Sequence, residues 1–250
     1  MNFLIRISFL LSGLFVLLHL PAQDLSDQEI SRKIDSMVSD IRHLSDSLYG
    51  TDMGLINGEY YRYRHTGIDG HPYYRDNSWI RGTVTSGKRE HRDLLLRYDI
   101  LDDRVILSHT VGSETYMIAL NKTVTDEFTL EEDHFIQLFD RDIVNNFPEP
   151  GYYQELYTGK VQLLGKRKKY ISGSRGQQLG EFRSDPLRLI RKDGVYHKFN
   201  GRNSLLKILA DRKEPVSDYI RSNAIDVRNA PDSDLVRILR YYDSLLSAEK

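Results

Sequence analysis

The chain has 250 residues, of which 40% are hydrophobic and 28% charged. That composition suits one large globular domain or two small ones and excludes a disordered, collagen-like or purely coiled-coil chain. Thirty-five Lys plus Arg against 36 Asp plus Glu give a formal net charge of −1, so no overall excess of either sign points to nucleic acid or to cation buffering. The absence of cysteine excludes disulfides, thiolate nucleophiles, Cys-ligated zinc, iron–sulfur clusters and a lipidated N-terminal Cys.

Residues 1–22 read as a secretory signal. Arg6 charges the first residues, Ile7 to Leu20 is an apolar stretch broken by Ser8, Ser12, Gly13 and His19, and Leu20-Pro21-Ala22 forms a cleavage region before Gln23. The apolar run is shorter than the roughly 20 residues a membrane span requires, which favours removal near Ala22 over a retained anchor. No later segment is apolar enough to span a bilayer, so a soluble mature chain is expected, exported to the periplasm or associated with an outer membrane.

Residues 23–50 are expected to form an amphipathic helix. Ser26-Asp27-Gln28-Glu29 is a capping box, and Ile30, Ile34, Met37, Ile41, Leu44 and Leu48 follow a 4-3-4-3-4 spacing that ends before Gly50. This seam suits packing on the chain's own sheet, a homodimer, or an envelope surface, although its acidic polar face opposes anionic lipid.

From Gly58 the apolar period changes to two, and residues 51–200 read as an antiparallel β domain. Strands are expected at Ile80 to Val84, Leu94 to Ile100, Val105 to His109, Tyr116 to Leu120, Phe128 to Leu130, His134 to Phe139, Tyr152 to Thr158, Val161 to Lys169, Leu187 to Arg191 and Val195 to Phe199. Turns are expected at Ser86-Gly87, Asp102-Asp103, Gly112-Ser113, Glu131 to Asp133 and Asp193-Gly194, while Ser172 to Ser184 reads as weakly ordered. Residues 201–250 carry helical stripes, with Pro215 and Pro231 each expected at a first helical position. The fold class is therefore α+β: about ten antiparallel strands in a curled sheet, sandwich or open barrel, with an N-terminal helix and two to three C-terminal ones packed on it. The order of elements excludes a doubly wound nucleotide-binding core.

The familiar motifs of serine hydrolases, zinc proteases, P-loops, dinucleotide folds and EF-hands do not occur. Ser204-Leu205-Leu206-Lys207 matches S-x-x-K but lacks its companions, and Asn203 or Ser204 suits a helix cap. The histidines show no metal-ligand spacing, and neither a metal nor a cofactor is expected. Asp102-Asp103 reads as a hairpin turn, and Asp99 with Arg97 as a surface pair on the side of a strand opposite Leu96 and Tyr98.

Tyrosine is abundant, with 16 copies clustered at Tyr60-Tyr61-x-Tyr63, Tyr73-Tyr74, Tyr152-Tyr153 with Tyr157, and Tyr241-Tyr242. A ring with a polar tip suits a half-wet face for sugar, peptide or lipid headgroup, so His71, Tyr73, Tyr74, Tyr152 and Tyr153 are candidate ligand contacts. The near-zero net charge also conceals a division. Residues 114–155 hold ten acids and two bases, whereas residues 160–213 hold fifteen bases and four acids. The two blocks are expected to pair across the sheet, with Lys160, Lys166, Arg167, Lys168 and Lys169 protecting an edge strand; alternatively Lys166, Arg167, Lys168 and Lys169 form a basic face for anionic lipid, polysaccharide or an acidic protein. Export disfavours nucleic acid as a partner.

Asn57-Gly58-x-x-Tyr61, Gly70-His71-Pro72-Tyr73, Leu96-x-Tyr98-Asp99-Ile100 with Asp103, Gly151-Tyr152-Tyr153, Leu156-Tyr157-x-Gly159 and the terminal Tyr241-Tyr242-Asp243 together resemble a family of uncharacterised exported proteins of Gram-negative bacteria. The resemblance implies an envelope location and carries no reaction, cofactor or catalytic residue. The expected function is a non-catalytic envelope binding or assembly module. The alternatives are an envelope hydrolase assembled from scattered His, Asp and Tyr residues, and a structural homodimer through the N-terminal helix.

Overall fold

A computed structural model describes residues 29–34, 36–37, 55, 58–111, 113–140, 143, 147–173 and 180–247. The chain divides into two compact units, Met1–Arg42 and His43–Lys250. In the first, residues 29–34 and 36–37 are helical and Ile30, Ile34 and Met37 are exposed. The signal segment, most of the capping box and the seam beyond Met37 lie outside the described residues.

The second unit holds the strands β1 (Glu59–Tyr60), β2 (Ile80–Ser86), β3 (Arg89–Asp99), β4 (Arg104–Val111), β5 (Glu114–Ala119), β6 (Glu127–Leu130), β7 (Asp133–Leu138), β8 (Gly151–Thr158), β9 (Gln162–Lys166), β10 (Lys169–Ser172), β11 (Glu181–Ser184), β12 (Leu187–Lys192) and β13 (Val195–Lys198). Helices α1 (Arg202–Ile208), α2 (Lys213–Ser222) and α3 (Asp232–Ser247) follow, with a 3-10 turn at Ala210–Arg212. Eleven strands form one antiparallel sheet in the order β1-β5-β4-β3-β2-β6-β7-β8-β9-β12-β13, and β10 pairs with β11 apart from it. The fold is α+β.

The expected curled, barrel or sandwich arrangement is corrected to one open sheet that ends at β1 and β13. Growth in two directions accounts for this. The β2–β5 meander builds one way, the chain then returns to pair β6 with β2, and the next meander builds the other way. A second sheet is unnecessary because helices cover the far half, where Val161, Leu163 and Ile190 share a core with Leu205, Leu209, Val216, Ile220, Ile238, Leu239 and Tyr242. The near half buries Leu96, Tyr98, Val105, Leu107, Phe128, Leu130, Phe135 and Tyr152. Each such side chain contributes roughly 1.5–3 kcal/mol by leaving water.

Local chemistry sets the turns. Asp193 and Gly194 both have positive φ, 51° and 79°, as a two-residue hairpin whose twist matches its strands requires. The expected Val161 to Lys169 strand is divided, because β9 stays in the sheet while β10 leaves it to pair with β11 in register Lys169↔Ser184 to Ser172↔Glu181. The ends of the stretch read as weakly ordered are thus strand. Pro215 is the third residue of α2 and Pro231 precedes α3, so neither occupies the expected first position.

Candidate functional site

The candidate ligand contacts are buried or half-buried, whereas Tyr60 of the first tyrosine cluster is exposed. Tyr73, Tyr152 and Tyr153 are buried, while His71 and Tyr74 are half-buried. Their polar tips are satisfied internally. Tyr153 Oη donates to the Glu149 carbonyl at 2.8 Å, and Tyr74 Oη donates to Asp133 at 3.0 Å. His71 stacks on Tyr73 at 5.9 Å, and Tyr73 Oη lies close enough to Tyr61 to help raise the Tyr61 phenol's pKa, chiefly a burial effect.

Asp99 is likewise interior, a correction to its expected surface place with Arg97. Residues 72–74 pair with the end of β3, with Tyr74 N donating to the Tyr98 carbonyl at 2.8 Å and Ile100 N to the Pro72 carbonyl at 2.9 Å, and the rings of Tyr61 and Tyr73, packed with Ile106 and Ala119, cover β3's second face. Asp99 accepts from Tyr61 Oη at 2.9 Å and from the amides of Leu101 and Asp102 at 3.0 and 3.1 Å. Burial raises its carboxyl pKa despite those bonds. Arg97 lies over the rings of Tyr73 and Trp79, at 5.0 and 4.2 Å.

Several residues distant in sequence meet as internal staples. Tyr157 Oη and the Lys160 amide donate to one Asp243 oxygen at 2.8 and 2.7 Å. Burial and Asp243 push the Tyr157 phenol up to about 12. Tyr98 Oη donates to Asp103 Oδ1 at 2.6 Å. Asp103 is therefore more than a turn residue: its other oxygen takes Lys166 Nζ at 2.9 Å and also Lys122 Nζ. Burial raises the Asp103 carboxyl, but the two lysines outweigh it and hold the group below the ordinary aspartate range. Gly151, at φ 135°, makes room, since a Cβ there would lie 2.1 Å from Asp103 Oδ2 and 2.2 Å from Lys166 Nζ.

A second carboxylate is shared in the same way. Asp232, at the start of α3, accepts from Arg167 Nη2 and Arg188 Nε, both at 2.7 Å. Burial raises its carboxyl and the two guanidiniums outweigh it, giving a net lowering. Each node thus has two cations on one carboxylate, and each sends one of them, Lys166 or Arg188, to the wall of a single cleft.

That cleft, of about 380 Å³, lies where β9, β12 and β13 meet the segment after α2. Its charged lining is Lys166, Lys168, Arg188, Lys198 and Arg228 against Glu149 and Asp185, a formal +3, and Pro186, Leu187, Phe199 and Val227 supply apolar surface. A larger cavity of about 590 Å³ beside β1 and β5 is neutral by comparison, because Arg104 and Lys122 there balance Glu59 and Asp102.

The four basic candidates do not form one face. Lys166 is 5% exposed and lies 5.0 Å from the Tyr153 ring centroid. Arg167 is held by Gln154 and Asp232. Lys169 donates to the carbonyls of His71 and Tyr73 at 2.8 and 2.9 Å. Lys168 is exposed, and its 3.5 Å approach to Glu149 links the basic block to the acidic one. Lys166, Arg167 and Arg188 instead use Asp103 and Asp232, from outside the acidic block. Lys166 guards no edge, because β9 lies between β8 and β12, whereas Lys169 begins β10, whose one strand partner is β11.

His134 is the strongest acid–base candidate, with Nδ1 2.7 Å from Glu155 and Nε2 3.1 Å from Glu127. Both ring nitrogens are engaged, leaving neither for a substrate. Gly201, not Asn203 or Ser204, caps α1, and Ser204 lies inside the helix with its hydroxyl donating to the Gly201 carbonyl at 2.9 Å, which is not a nucleophile's setting. Among the described residues no group of three or more His, Asp or Glu side chains is arranged to hold a metal ion, and no helix is long and apolar enough to cross a membrane.

The cleft residues Arg188, Lys198 and Arg228 and the carboxylates Asp103 and Asp232 were missed as site residues from sequence. The surplus of base between residues 160 and 213 was the available signal for Arg188 and Lys198, whereas Arg228, Asp103 and Asp232 lie outside that block. Comparison with protein-family models, with curated proteins and with solved structures gave no match.

Proposed function

We propose that this chain is an exported, envelope-located binding module that takes an anionic ligand in the cleft between β9, β12, β13 and the segment after α2. The observation that carries the reading is the formal +3 lining, in which Lys166 and Arg188 belong to nodes where two cations share one carboxylate. A low-dielectric wall with surplus positive charge concentrates anions. The envelope location rests on the signal-like residues 1–22 and on the family resemblance.

Titration of the purified chain with the trianionic dye pyranine, read by fluorescence polarisation, tests the binding role. Saturable binding that weakens with salt and is lost in the Lys198→Glu/Arg228→Glu variant is expected. Binding that is equal in the variant overturns the assignment. Cell fractionation tests the location, and recovery of an uncleaved chain in the cytoplasm would refute export. The exposed Ile30, Ile34 and Met37 favour self-association as a further property, which light scattering of a monomer at high concentration would exclude.

A further inference from the structure

We infer that the ligand of the cleft is a phosphomonoester on a headgroup-sized body, an inference that rests on the anion-binding reading above. Size comes first. About 380 Å³ is near the lower end of small-molecule sites and suits a sugar or glycerol phosphate. The apolar wall of Pro186, Leu187 and Val227 gives the body of such a ligand a surface to lie on.

The charge arrangement selects the anion. Lys198 and Arg228 are exposed at the cleft and form no side-chain hydrogen bond or ion pair among the described residues. Lys166 and Arg188 stand on the wall, each already fixed by a carboxylate that a second cation also neutralises. The cations therefore come from four separate stretches of chain, β9, β12, β13 and the segment after α2. A carboxylate has two coplanar oxygens and is best met by one guanidinium fork. A phosphomonoester spreads a charge of about −1.5 to −2 over three oxygens pointing in different directions, which matches dispersed cations. A sulfate ester has the same shape and one negative charge, so it tests charge at constant geometry.

Isothermal titration at low salt with glucose 6-phosphate, glucose 6-sulfate, glucuronate and glucose separates these terms. Glucose 6-phosphate is expected to bind about tenfold or more tightly than the sulfate or the glucuronate, with no heat from glucose. Lys198→Ala and Arg228→Ala should each weaken it by roughly 5- to 20-fold while leaving the melting temperature unchanged, because neither side chain holds the fold. A parallel arm sediments the chain with phosphatidylcholine vesicles with and without phosphatidic acid. Sedimentation that requires phosphatidic acid and is lost in the double variant assigns the phosphate to a lipid headgroup. Glucose 6-phosphate binding without sedimentation assigns it to a soluble ester, and either result supports the inference. Equal affinity for all three anionic sugars leaves anion binding standing and overturns the phosphomonoester. Absence of binding to every anion and to the vesicles overturns both.

Discussion

The two halves of the sheet bury their apolar faces by different means. In the near half, rings from neighbouring strands fill the interior: Phe128 stacks on Phe135 at 4.7 Å, and Tyr98 meets Phe128 and Phe135 at 5.2 Å and Tyr152 at 6.0 Å. In the far half, smaller aliphatic residues of β9 and β12 pack under α1, α2 and α3. A core closed by side chains of its own strands is filled by rings, and the larger cavity at the β1 edge of this half is lined by balanced charges. A core closed by helices ends at a seam where sheet and helical segment part, and at that seam lies the charged cleft. The proposed site thus lies in the half whose covering comes from elsewhere in the chain.

The largest expected effect tests the near half. Phe135 is 0% exposed, and Phe135→Ala should cost about 3–5 kcal/mol by urea denaturation, since it removes the partner of three aromatic contacts. Leu163→Ala in the far half should cost less, about 2–3 kcal/mol, because helix side chains can settle into the space. Equal losses would break the contrast between the two kinds of core.

The shared carboxylate comes next. Asp103→Asn leaves Lys166 and Lys122 facing each other across an uncharged amide, at a cost of about 3 kcal/mol. The Asp103 carboxyl is held low in the folded state. Its contribution is therefore present above the unfolded value of about 3.9 and lost as pH falls through the folded one. Wild type should lose stability more steeply than Asp103→Asn below about pH 4. Parallel acid limbs in the two stability curves would show that the lysines do not depend on this charge.

The parts legible in the sequence were those set by short-range chemistry. Alternation of apolar residues with Asp193-Gly194 or Ser86-Gly87 between them placed the hairpins of the main sheet. What was misread depended on distant segments. Asp99 alternates with inward residues and so reads as surface, until the rings of Tyr61 and Tyr73 cover that side. Tyr152-Tyr153 reads as half-wet because nothing local shows that β8 lies between β7 and β9 with both rings buried. The basic block was visible as composition. Its use was not, because Asp103 and Asp232 lie about 60 residues to either side of Lys166 and only the fold brings them to it.

The smallest expected effect lies at the boundary of the two halves, where Glu127, His134 and Glu155 bridge β6, β7 and β8 on a partly exposed surface. Hydrogen bonding to Glu155, reinforced by Glu127, outweighs burial and raises the His134 pKa above its ordinary value. A raised folded value means that the stabilisation is complete below the unfolded pKa of about 6.5 and is lost as pH rises through the folded one. Solvent screening limits the effect to about 0.5–1 kcal/mol. Melting curves of wild type and His134→Gln should therefore differ most below neutrality and converge in alkali. A difference that persisted at high pH would assign the bridge to packing or neutral hydrogen bonds, and the boundary would then be held by the same forces as the cores on either side.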